Sequence, residues 1–205
     1  MASDIFERKN SPLLIVVSGT AGSGKDSVIR RMKERDVPFE FVVTVTSRTP
    51  RADEVNGRDY FFVSESEFQE MIRKDELLEH AVVYNQHKGI PKRQVRDAIA
   101  SGKDVILRID IQGSDTIRSK CPQAVTIFLT ASSEEELTRR LLRRGSDTAE
   151  QVALRLRTAH EEMGRIPDYD YVVVNADGRL DETADTIAAI IRAEHARAVP
   201  RKVTP

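Results

Sequence analysis

Five short, mainly apolar runs, at 13–17 (continuous), 39–45, 105–109, 124–129 and 171–174, punctuate the chain, and helical patterns lie between most of them. An unbroken run, unlike an alternating one, marks a strand covered on both faces, which is the habit of parallel sheets. The helical segments are 26–34, 92–100, 133–143 and 180–198. Pro91 suits the start of the second and Gly102 its stop. Ser133 and Glu136 fit a capping box for the third, whose Glu134 to Glu136 run suits the positive end of a helix dipole. Strands alternating with helices predict an α/β domain with a mostly parallel sheet. Residues 46–90 break that rhythm. They begin polar, with turn signals at Pro50 and Asn56–Gly57, and then predict short strands at 60–63 and 80–84 around a helix at 65–74. This reads as a small inserted lobe of hairpin-like strands. The tail, 199–205, is expected to be loose.

Composition removes other classes. A chain of 205 residues buries one sizeable core, with room for a small appended lobe. Cys121 is the single cysteine, so a disulfide scaffold is excluded and a structural thiol in a reducing compartment is expected. No apolar run approaches the roughly 20 residues that span a bilayer, and the polar first ten residues do not read as a signal peptide. These features predict a cytoplasmic protein with no membrane partner. The net charge of −1 gives no general attraction to nucleic acid. Of the 32 basic residues only nine are lysine, leaving 23 arginines, whose planar fork matches phosphate and carboxylate. His80, His87, His160 and His195 show no metal-ligand spacing.

After the first run comes Gly19-Thr20-Ala21-Gly22-Ser23-Gly24-Lys25-Asp26-Ser27. Glycines allow backbone N–H groups to turn inward around phosphate oxygens, and the following helix adds its N-terminal amides. Lys25 is placed to reach β- and γ-phosphates, and a hydroxyl just beyond it to sit near Mg²⁺. The strict pattern has Ser or Thr directly after the lysine; here Asp26 stands there and Ser27 follows. Beside a triphosphate Asp26 repels the nucleotide unless it orders the metal's water or pairs with a basic residue. Asp110 ends the third run, where open α/β sheets bind ligands.

Arg48, Arg51 and Tyr60, in TSRTPRADEVNGRDY, offer two guanidinium forks and a phenol suited to one phosphate monoester. With the glycine loop, Leu77-Leu78-Glu79, Asp110-Ile111-Gln112-Gly113 and Asp170-Tyr171-Val172-Val173-Val174-Asn175, this stretch resembles the guanylate kinase family over about 13–193. The resemblance implies a P-loop nucleoside monophosphate kinase: a core (11–44, 91–143 and 167–198), a GMP-binding lobe (45–90) and an arginine-bearing lid (144–166). It implies Mg²⁺-dependent transfer from ATP to GMP or dGMP, by a monomer or weak homo-oligomer. Gly19 to Ser27, Arg140 and Asn175 match the ATP site. Thr44, Arg48, Arg51, Tyr60, Glu79, Lys88 and Asp110 match the GMP site. Lys25, Arg48, Arg144 and Arg155 match the catalytic cations, and Ser27 and Asp110 the metal site, Asp110 through water. Guanine presents N1–H and N2–H₂ donors side by side, which one carboxylate at Glu79 can accept. A site built on such bonds discriminates against adenine on the order of 10⁴-fold.

Some residues depart from the family's usual pattern. Lys88 and Ile90 stand where a Tyr and a hydroxyl residue are common; Lys88 offers a point charge to phosphate, but Ile90 has nothing for guanine O6. Arg108 stands where an acid or an apolar residue is common. Lys-Gly-Ile-Pro, Asp26 and Arg108 together resemble the branch that includes plant organelle guanylate kinases. Two other readings compete. One is phosphorylation of ribose 1,5-bisphosphate, which gives Glu79 no base to read. The other is an inactive interaction module, which usually lacks the loop glycines and lysine that Gly24 and Lys25 retain here.

Overall fold

The computed structural model describes residues 11–51, 54–83, 86–143 and 149–204. Its larger sheet is fully parallel. It contains β1 (Leu14–Gly19), β2 (Glu40–Phe41), β7 (Val105–Arg108), β8 (Val125–Thr130) and β9 (Tyr171–Val174), in the order β2-β7-β1-β8-β9. Successive residues of β1 explain why its run is unbroken. Leu13, Ile15 and Val17 join one apolar cluster with Val28 and Met32 of α1 (Lys25–Glu34) and with Ile187 and Ile191 of α7 (Leu180–His195). Leu14 and Val16 join the opposite cluster with Val95 of α3 (Lys92–Ala100) and Ile117 of α4 (Ile111–Lys120). Both faces are therefore buried, which is why each position of 13–17 is apolar.

The smaller sheet comes from the inserted region. It has the order β4-β3-β6-β5, from β3 (Val45–Thr46), β4 (Phe61–Phe62), β5 (Leu77–Val83) and β6 (Gln86–Pro91). Helix α2 (Glu65–Arg73) covers it through Phe68, which is fully buried and clusters with Val45 and Leu77. Ser64 and Glu67 form a complete capping box at its start.

The structure corrects several expectations. The run at 39–45 is not one strand: its first part pairs with β7 and its last with β4 and β6. Between them the chain crosses from one sheet to the other, and the Gln94 side chain takes the place of a strand partner. It accepts from Val43 N–H (3.2 Å) and donates to Val43 C=O (3.3 Å). The strand at 60–63 is not half of a hairpin, because β4 runs parallel to β3. The hairpin is β5–β6, and its second strand occupies the polar string 86–91, where no strand was expected. Ser133 Oγ accepts from Glu136 N–H (3.2 Å), but the Glu136 carboxylate returns to Ser132, one residue earlier than the box requires. The helix at 180–198 ends at His195. The tail is tied down: Arg201 donates to Glu194 (2.8 Å) and to Ala124 C=O (3.1 Å), and Val203 packs on the second cluster. Two further helices, α4 and α6 (Ala149–Met163), carried no periodic signal strong enough to name them; α5 (Glu134–Arg143) lies between them.

Candidate active site

Strand β1 lies between β7 and β8, and the chain leaving its carboxyl end forms the glycine loop. Gly24 takes φ 93° as the N-cap of α1, and Gly22 takes φ 86°. Both are left-handed conformations that a side chain would strain. The loop curls around its own lysine: Lys25 Nζ donates to the carbonyls of Gly19 (2.6 Å) and Thr20 (3.1 Å). Burial pushes the Lys25 ammonium below its ordinary range, against the pull of Asp110, Glu162 and Asp26. Thr20 and Ser23 are buried behind the loop, with hydroxyls that find no hydrogen-bond partner among the described residues.

One cleft gathers residues that are far apart in the chain. Its walls include Ala21, Gly22, Gly24, Lys25 and Asp26 from the loop, and Thr44, Arg48, Arg51, Tyr60, Glu79 and Lys88 from the inserted region. Arg108, Asp110 and Gly113 complete it from below, and Arg155 from α6. A second depression on the far side of the loop is lined by Ser27, Arg140 and Asn175. Asn175 buttresses the loop from there: its Nδ2 donates to Ser23 C=O (2.8 Å), and its Oδ1 accepts from Thr183 (3.1 Å). Arg140 is held by Glu136, Asp177 (3.0 Å) and the carbonyls of Asn175 (2.7 Å) and Ser23 (3.3 Å). Arg144 lies outside the described residues.

The inserted region presents its arginines already ordered. The Arg48 fork meets the Glu54 carboxylate in two bonds of 2.6 and 2.5 Å, and the same carboxylate accepts from Arg51 N–H (2.9 Å). Burial opposes the charged form of Glu54, but these donors outweigh it and lower its carboxyl. The Arg48 guanidinium also lies over the Tyr60 ring, 4.8 Å from its centroid. Thr44 is buried, and its hydroxyl has no partner among the described residues.

Glu79 is 3% exposed and faces Gly113 so closely that a Cβ there would come within 2.6 Å of its Oε1. Burial, and secondarily Asp110, pushes its carboxyl up to about 8. Asp110 behaves oppositely. Burial disfavours its charge, but Lys88 (2.7 Å) and Lys25 outweigh that and hold it ionised. It occupies the N-cap position of α4 without capping it, so the side chain serves the cleft. Lys88 is thus engaged by Asp110, and Ile90, fully buried with Leu78 and Val95, points into the core and not at any base.

Two residues of this arrangement, Glu54 and Glu162, were not singled out from the sequence. Glu54 had a signal, an acid spaced three and six residues from the two arginines. Glu162 and Arg155 are seven apart on α6 and so share a face; burial raises Glu162 to about 7 although Lys25 pulls it down. Arg108 was visible as a departure, but its partner was not.

A glycine loop around a buried lysine, Arg48 and Arg51 tied to Glu54, and the buried carboxyl of Glu79 line one cleft. A family model for guanylate kinase matches residues 11–194. This chain belongs to the guanylate kinase family. It is 47% identical over 193 residues to "Guanylate kinase 2, chloroplastic/mitochondrial" of Oryza sativa subsp. japonica, covering 94% of this chain and 68% of that protein. It is 41% identical over 189 residues to "Guanylate kinase" of Caldanaerobacter subterraneus subsp. tengcongensis, covering 92% and 91%. The crystal structure of guanylate kinase from Anaplasma phagocytophilum matches with a TM-score of 0.75 at 31% identity, over 93% of this chain and 89% of that one. The P-loop α/β fold of the guanylate kinase family is therefore that of this chain.

Proposed function

We propose that this cleft transfers the γ-phosphoryl group of ATP to GMP. The observation that carries the reading is the buried Glu79 carboxyl, which lines one cleft together with the Lys25 loop and the Arg48–Arg51–Tyr60 group. The loop amides and Lys25 bind the β- and γ-phosphates, while Ser27, Arg140 and Asn175 lie toward the nucleoside of ATP. Arg48, Arg51 and Tyr60 hold the GMP phosphate, and Glu79 and Thr44 face the guanine. An oxygen of the GMP phosphate attacks the γ-phosphorus in line, the bond to the β–γ bridging oxygen breaks, and ADP leaves. No covalent nucleophile on the protein is required; positioning and charge neutralisation suffice. Lys25, Arg48, Arg144 and Arg155 spread the charge. Asp110, kept ionised by Lys88 and Lys25, suits a hard cation held through water. Asp110 would hold a Mg²⁺ ion through water, which would draw charge from the donor phosphates; Ser27, matched to the metal site from the sequence, lines the depression on the other side of the loop and is not brought together with Asp110.

The division into core, GMP lobe (45–90) and lid (144–166) follows from this assignment. A lid has a physical purpose, since excluding water prevents hydrolysis of ATP. We assign the protein to the cytoplasm, as a monomer or weak homo-oligomer without nucleic-acid or membrane partners; fractionation and sedimentation check these points. The central experiment measures ADP release with GMP, dGMP, AMP and ribose 1,5-bisphosphate. GMP and dGMP are expected to support it and AMP is not. No ADP with GMP overturns the proposal, and a response to ribose 1,5-bisphosphate alone replaces it.

A further inference from the structure

Asp26 and Arg108, separate oddities in the sequence, are partners in the fold. Asp26 lies in the first turn of α1, and Arg108 is the last residue of β7, beside β1. Their side chains form an ion pair in which the Arg108 side chain is 10% exposed. The same guanidinium lies over the Tyr60 ring, 4.6 Å from its centroid, and over that of Phe41 at 5.4 Å. Its Nη2 donates to the Asp59 carbonyl at 3.3 Å. Tyr60 therefore carries two guanidinium contacts, one from its own lobe (Arg48) and one from the core (Arg108).

Each contact answers a physical need. An acid directly after the loop lysine is a liability beside a polyphosphate, and the Arg108 charge cancels it. A tyrosine on a small two-sheet junction needs a fixed ring plane, and a planar guanidinium anchored in the core sets one. One side chain does both, and so it spans from the donor loop to the acceptor lobe.

We infer that Arg108 is a positioning residue that serves both nucleotide subsites, cancelling Asp26 beside the phosphate loop and holding Tyr60 against the core. The inference rests on the kinase reading above and extends it to residues that reading does not use. The experiment compares Arg108→Leu, Arg108→Lys, Asp26→Ser and the double variant Arg108→Leu with Asp26→Ser. It records KM for ATP and for GMP, kcat, and calorimetric binding of ADP and of GMP separately. Thermal melting confirms that each variant is folded.

Arg108→Leu is expected to weaken both ATP and GMP by about tenfold, the size of coupling usual between contacting charged groups. Adding Asp26→Ser should restore ATP and ADP to within about twofold of the parent, because no uncompensated acid remains. It should leave the GMP loss in place, because Tyr60 is still unsupported. Arg108→Lys, which keeps the charge and loses the plane, should retain ATP and lose GMP. Independent, additive losses in the double variant would sink the inference, as would rescue of GMP along with ATP. A fall in kcat with both KM values unchanged would also overturn it, since that marks direct contact with the reacting phosphate. Failure of the parent protein to phosphorylate GMP is a separate result that removes the kinase reading, while the calorimetric ADP cycle still reports the Asp26–Arg108 pair.

Discussion

On the core side of the cleft the groups assigned to phosphate belong mainly to the backbone; on the lobe side they are side chains. Gly19, Gly22 and Gly24 hold positive φ values of 133°, 86° and 93°, and sheet, helix and Asn175 fix the loop around Lys25. Arg48, Arg51 and Tyr60 owe their placement to Glu54 and to stacking, on a lobe whose sheet includes two-residue strands. A backbone site is shaped by the fold and tolerates neighbouring sequence change as long as the glycines remain. A side-chain site depends on each partner, and one substitution in the ion-pair network reshapes it. The core side is therefore built once and rigidly, and the lobe side is adjustable.

Replacing Lys25, the side chain around which the core-side loop closes, should have the largest effect. Lys25→Met is expected to lower kcat by about 10² to 10³-fold while GMP binding by calorimetry is retained. If GMP binding vanished as well, the two sides would not be separable. Next is Glu79→Gln, expected to lower kcat/KM for GMP on the order of 10²-fold and to leave ADP binding unchanged. Equal damage to both would remove its base-reading role.

Glu79 also predicts a pH dependence. Burial, with Asp110, pushes its folded carboxyl up to about 8, above the 4.5 of the free group, so between these values the native state holds a proton that the unfolded chain has lost. Stability from this group is full below about 4.5 and is lost as pH rises to about 8, at no more than about 1.4 kcal/mol per pH unit. Glu79→Gln should flatten that slope in denaturant titrations across the window. Since guanine donors need the carboxylate form, GMP affinity should rise over the same interval.

Smaller effects probe how each side is supported. Glu54→Gln should reduce kcat/KM for GMP by about tenfold through loss of the Arg48 anchor, with KM for ATP unchanged. Asn175→Ala removes the bond to Ser23 C=O and should raise KM for ATP by about fivefold with GMP unaffected. If these two variants each disturbed both substrates, the contrast between the sides would be wrong.

The sequence made the core legible because burial on both faces leaves a mark at every position of a strand. The runs at 13–17, 105–109, 124–129 and 171–174 correspond to β1, β7, β8 and β9 within one or two residues. The glycine loop was legible for a related reason: positive φ restricts residue choice locally. β6 was not, since its residues 86–91 include charged and polar side chains that face the cleft, and only pairing with β5 and β3 makes them a strand. The split of 39–45 was invisible because the Gln94 side chain that replaces the ladder there comes from a helix about 50 residues away. α6 carried a weak stripe: among its described residues Val152 and Ala159 are buried in the adjoining apolar cluster and Leu156 is partly buried against it, while Arg155 faces the cleft.

Residue types that local chemistry demands were thus determined by the sequence itself: buried strands, a phosphate loop, an arginine-rich lobe and the family they resemble. The tertiary structure alone decided which distant charges meet. Arg108 cancels Asp26 from 82 residues away, Lys88 engages Asp110 from 22 residues away, and Arg201 brings an apparently loose tail onto buried Glu194. An ion pair leaves no periodic trace in a sequence. It is set by the distance between side chains after the sheets and helices have packed, and that distance exists only in the folded molecule.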